Sequence, residues 1–174
     1  MTRPTRFLMI LAALTIGLAV TLNHLQASAQ TENVTFTAAL SPANEVPPIA
    51  NDESKGSGEA TIVLHLTRDA AKAITGATAD LTVAVKGFPA GTAITAAHIH
   101  RGATGANGGV AVNPMLTAAD MTLSGGTGSF SKTGVTVTPA VAQEILNGPA
   151  NFYFNVHSTL NPGGVARGQL AAGK

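Results

Sequence analysis

Ala97-His98-Ile99-His100-Arg101-Gly102 is a short apolar-flanked run that opens into a glycine-rich loop, and Asn155-Val156-His157 repeats the arrangement near the end of the chain. Three of the five histidines sit in these two places. Both runs alternate as strands do, and most of the remaining sequence reads as scaffold for bringing them together.

Working outward, strand signals dominate. Residues 33–40 are rich in Thr, Val and Phe. Across 59–67, Ala60, Ile62, Leu64 and Leu66 fall on one face, with Thr61, Val63, His65 and Thr67 on the other. Residues 77–86 alternate again, and 87–91 read as a turn. Further strands are expected at 94–100, 109–112, 125–133, 151–157 and 165–170. Residues 116–121 suit a helical turn. The one strong helix signal is 138–148: Thr138 can cap, Pro139 takes the first helical position, and Gly148 can end it. Residues 41–58 carry three prolines and two glycines, so they read as a long loop of the kind that is functional or mobile. About eight short strands with one short helix near 139–147 predict an all-β fold, a Greek-key sandwich or barrel.

Alternation places His98 and His100 on one face, with Cα atoms about 6.5–7 Å apart. His157 shares a face with Tyr153 and Asn155, opposite the apolar Phe152, Phe154 and Val156. If the two strands meet, His98, His100 and His157 form a three-histidine set suited to copper or zinc. The alternatives are buried histidines that only hydrogen-bond, or a binding surface. Ile94 and Ala96 share the His98 face in this reading, which favours burial. Arg167, between Gly164 and Gly168, invites a buried carboxylate or backbone carbonyls as partners, with Glu45 and Glu59 as candidates. The other reading makes it an anion guide near the histidines.

Residues 1–29 read as an export signal. Arg3 and Arg6 precede an apolar run over 8–20, and Ala27-Ser28-Ala29 predicts cleavage after Ala29. The run is shorter than the roughly 20 residues of a spanning helix, so no membrane attachment is expected after cleavage. Residues 30–174 then form one domain, secreted or periplasmic. The signal holds two of ten basic residues and none of nine acidic ones, so the remainder is close to neutral. Such a chain has no electrostatic reason to seek nucleic acid or anionic lipid. With no cysteine, thiolate zinc sites, iron–sulfur clusters, type-1 copper and a lipoprotein anchor are excluded. Ser158 follows His157 directly and so faces the other way, and the acidic residues are scattered. No catalytic set emerges.

Taken together, Asn44-Glu45-Val46-Pro47-Pro48, Gly58-Glu59-Ala60, Ala97-His98-Ile99-His100-Arg101-Gly102 with Asn107-Gly108-Gly109, Asn155-Val156-His157-Ser158 and 161–170 resemble the CHRD domain, first described in chordin. The resemblance covers nearly all of the chain after the signal. It implies a sandwich-like extracellular module and no settled activity. On it, the expected function is non-enzymatic binding of an unknown protein or surface partner, or a structural role in the envelope. The alternative is a three-histidine copper or zinc protein, for storage, sensing or redox chemistry. A looser likeness to the Cu,Zn superoxide dismutase fold rests on the His-x-His pair, a later histidine and a C-terminal arginine, without a recognisable bridging histidine, zinc Asp or disulfide.

Overall fold

The computed structural model describes residues 29–117 and 119–173. The expected export signal therefore lies outside the described residues, except for Ala29. Among the described residues the chain runs β1 (Gln30–Leu40), β2 (Ser57–Arg68), β3 (Ile74–Lys86), β4 (Ile94–Arg101), β5 (Val110–Val112), β6 (Gly128–Val137), α1 (Pro139–Asn147), β7 (Phe152–Ser158), β8 (Ala166–Gln169) and β9 (Ala171–Ala172). These strands make two antiparallel sheets, ordered β6-β3-β2-β1-β9 and β5-β4-β7-β8. Neither sheet closes on itself, so the fold is a sandwich and not a barrel. β1 to β3 form a meander. After it the chain changes sheets repeatedly, so β6 returns beside β3 and β7 beside β4.

The period-2 pattern explains the core. Ala60, Ile62, Leu64 and Leu66 of β2 are buried, as are Leu81, Val83 and Val85 of β3. Ala97, Ile99, Phe154 and Val156 are buried in the other sheet. The two apolar faces meet, which is the arrangement a sandwich requires. Helix α1 begins where expected: Val141 N donates to Thr138 Oγ1 at 3.3 Å, and Gly148 caps the far end. Val141, Ala142 and Ile145 are its buried face.

Three local expectations change. Residues 116–121 make no helix among the described residues. Instead Asp120 Oδ2 accepts from Thr117 N and Thr117 Oγ1, both at 2.7 Å, closing a side-chain-bound turn. The strand expected at 125–133 starts later, because Gly125 and Gly126 (φ 57° and 78°) make the tight turn that precedes it. Ile94 does not share the His98 face: the register slips between Ile94 and Ala96, and this irregularity turns Ile94 into the core with Ala97 and Ile99. The 41–58 loop contains two 3-10 turns, Pro42–Asn44 and Asp52–Lys55, each capped by a side chain, from Ser41 and Asn51. It is tied to β8 by a bridge between Ser41 and Arg167.

The sheets approach closely where β8 meets β1. A Cβ on Gly168 would lie 2.2 Å from the Ala39 carbonyl oxygen. Gly168→Ala should therefore cost about 2–3 kcal/mol, because backbone cannot give way as a flexible side chain would. A denaturant midpoint matching the parent's would contradict this packing.

Candidate metal centre

The outer face of the second sheet carries the polar residues. Across β4 and β7, His98 pairs with Asn155, His100 with Tyr153 and Ala96 with His157. Across β7 and β8, Asn155 pairs with Arg167 and Tyr153 with Gln169. Alternation puts all of these side chains on one face, with His98, Asn155 and Arg167 in one row. β7 is buried on both faces, so this polar face lies under the connecting loops and not in open solvent.

The three histidines meet. His98 Nδ1 lies 3.1 Å from His157 Nε2. Ring centroids are 5.5 Å apart for His98 and His100, 4.9 Å for His98 and His157, and 5.7 Å for His100 and His157. One ring nitrogen from each lies within 4.8 Å of the others. Nitrogens bound to one ion at about 2.0–2.1 Å sit roughly 3.4 Å apart, so the widest gap has to close by no more than roughly 1.4 Å.

The two glycine-rich loops act alike. His100 Nδ1 lies 3.0 Å from the Gly108 carbonyl, and His157 Nδ1 lies 3.0 Å from the Pro162 carbonyl. A carbonyl only accepts, so each Nδ1 carries the proton and each Nε2 carries a lone pair. This is the tautomer lock found behind metal-bound histidines. His100 Nε2 is buried and without a hydrogen-bond partner. Glycine permits the return of the first loop, since a Cβ on Gly108 would lie 1.6 Å from the Arg101 carbonyl oxygen. The second loop is clamped by Glu53, whose Oε2 accepts from Ser158 Oγ and Asn161 Nδ2, both at 2.6 Å.

Burial sets the charge state. It lowers His98 to about 4, helped by its two histidine neighbours. Burial also lowers His100 and His157, partly offset by their carbonyl bonds. All three are neutral at neutral pH, with lone pairs available. The unfolded chain titrates these groups near 6.5. The stabilisation from His98 is thus complete above that pH and is lost as pH falls through about 4, and His100 and His157 act in the same direction. Glu45 works the other way. Burial pushes it up to about 7 against the pull of Arg167, so its contribution is lost as pH rises through that value. Between pH 4.5 and 6.5 three histidines outweigh one glutamate, and the apo protein's melting temperature should climb with pH. A flat or falling profile there would refute the buried neutral histidines.

Arg167 is 1% exposed. Its Nε donates to Asn44 O at 2.6 Å, and its Nη1 to Ala106 O at 3.2 Å and Asn107 Oδ1 at 2.8 Å. The guanidinium carbon lies 4.6 Å from the Tyr153 ring centre. Two of these three acceptors are backbone carbonyls and the third is a side-chain amide oxygen. No carboxylate comes within ion-pair distance of it among the described residues. Glu45 is buried nearby, its Oε1 unpartnered. Glu59 is not a partner, because β2 alternation turns it to solvent. His65 stands apart on the other sheet, 3.0 Å from Asp80.

The family model of the CHRD domain matches residues 36–170. The chain belongs to the CHRD family. No curated protein and no solved structure matches it. In this CHRD domain the matched span includes both histidine runs, both loops and Arg167. No helix among the described residues is long and apolar enough to cross a membrane. Sequence reasoning placed Tyr153 on the His157 face but missed its stacking on His100, at 5.0 Å with planes 7° apart, and missed the Glu53 clamp. The echo between the two loops was the signal for the carbonyl locks.

Proposed function

We propose that this CHRD domain is an exported, non-catalytic binding module whose centre holds one copper or zinc ion on His98, His100 and His157. The paired carbonyl locks carry the reading: two histidines on different strands are each fixed with a proton on Nδ1 and a lone pair on Nε2, and a ring nitrogen of each comes within 4.8 Å of one from His98. A purely hydrogen-bonding role would satisfy His98 and His157 through each other but would leave His100 Nε2 unused. The basic start, apolar run and Ala27-Ser28-Ala29 support export and cleavage after Ala29. The nearest hydroxyl in sequence, Ser158, is committed to Glu53, which supports binding over hydrolysis.

The chain has one tyrosine and no tryptophan, and that tyrosine stacks on His100. Its emission therefore reports the site directly. Adding Cu(II) to chelator-stripped mature protein should quench tyrosine emission in a linear titration ending at one equivalent. Full emission with copper in excess would sink the proposal.

A further inference from the structure

Four buried side-chain atoms among the described residues lack a hydrogen-bond partner: Glu45 Oε1, His100 Nε2, Asn155 Oδ1 and Arg167 Nη2. Native folds leave few such atoms, and each calls for a physical explanation. Here they gather around one centre. His100 belongs to the histidine cluster. Asn155 pairs directly with His98 on one side and with Arg167 on the other, and it precedes His157 by two residues on the same face. Sheet geometry puts its Cβ about 5 Å from that of His98 across the strands and roughly 7 Å from that of His157 along the strand. The residue is 2% exposed, so bulk solvent does not satisfy its oxygen. Gly164 leaves a slot open beside the amide. A Cβ on it would lie 2.5 Å from Asn155 Nδ2 and 2.9 Å from Glu45 Oε1.

We infer that Asn155 Oδ1 is the fourth ligand of this centre, closing a tetrahedral site of three nitrogens and one oxygen for Zn(II), with no position left for solvent or substrate. The inference rests on the three-histidine reading above. Zn(II) accepts nitrogen and oxygen donors and is almost always tetrahedral in structural sites. One ion then accounts for three of the four unpartnered atoms. His100 Nε2 and Asn155 Oδ1 bind it directly. Asn155 Nδ2, a stronger donor once its amide oxygen is on the ion, has Glu45 Oε1 as its acceptor across the Gly164 slot. The guanidinium that carries the fourth atom is near enough to Glu45 to favour its ionised form. A charged acceptor therefore stands behind the ligand and orients it. Structural zinc is closed in this way, whereas catalytic zinc keeps a position open. The ion braces β4, which brings His98 and His100, against β7, which brings Asn155 and His157.

The test loads chelator-stripped mature protein with one equivalent of Co(II), whose visible bands report coordination at a zinc site, and then adds azide as a small competing ligand. The parent should show four-coordinate bands that excess azide does not move. Asn155→Ala opens the position, so its bands should shift with azide, and its Zn(II) affinity against a zinc indicator should fall about tenfold or more. Asn155→Asp returns an oxygen donor and should again resist azide. Parent bands that shift with azide, or an alanine variant as resistant as the parent, would overturn Asn155 as the ligand and leave the three-histidine site standing. A parent that takes up neither Co(II) nor Zn(II) would overturn the closed zinc centre, and failure of the Cu(II) titration as well would remove the three-histidine reading with it. If Asn155→Ala does not fold, the parent's response to azide decides.

Discussion

Replacing His157 with alanine should weaken copper binding by ~100-fold or more and leave the sandwich standing. Loss of a group that merely orients a ligand costs 10–100-fold in affinity, and His157 does more than orient. Its Nε2 is 3.1 Å from His98 Nδ1, and its Nδ1–H is held by the Pro162 carbonyl. Alanine removes the donor and leaves that carbonyl without its partner, at a stability cost of about 1–3 kcal/mol. The core face of β7, with Phe152, Phe154 and Val156, is untouched. His100→Ala should behave alike, because the Gly108 carbonyl plays the same part. Tyrosine-emission titrations of the three proteins make the comparison. A variant that still binds copper within threefold of the parent would remove its histidine from the ligand set.

The second large effect falls on stability. Arg167→Met should destabilise the fold by about 4 kcal/mol, although it breaks no ion pair. The guanidinium ties β8 to the 41–58 loop through Asn44 and to the 102–109 loop through Ala106 and Asn107. Methionine fills part of the volume over Tyr153 but leaves two loop carbonyls and an amide oxygen without the donors that tie them to β8. Arg167→Lys should recover little of the loss, because a single ammonium cannot reach the Nε and Nη1 partners together. Urea denaturation at neutral pH measures both. A loss below 1 kcal/mol for the methionine variant would mean that the loops hold themselves.

The strands were legible because alternation is a local signal. Ala60 to Leu66 and Phe152 to Val156 declare their buried faces without reference to anything distant. Helix α1 was legible from Thr138, Pro139 and Gly148 for the same reason. The convergence of His98, His100 and His157 was legible as a possibility, since face assignment needs only the period of two. What stayed hidden depends on registers and backbone returns. The slip between Ile94 and Ala96 leaves no mark in composition. The burial of the His157 face comes from loops folding over it, and the 41–58 segment gives no period from which such folding could be read. Glu45 shows the limit most plainly. Its proximity to Arg167 was foreseen, but whether two buried charges touch is decided by fractions of a turn in a loop.

His98 and His157 are 59 residues apart in sequence, and β5, β6 and α1 lie between them. A chain still emerging or still unfolded offers an ion only the weak His98-Ile99-His100 pair. The third donor arrives when β7 docks on β4, among the later events for contacts of such long range. On the proposed three-histidine centre, metal capture would follow completed folding, so the ion acquired would be the one present where the chain finishes folding rather than where it is made.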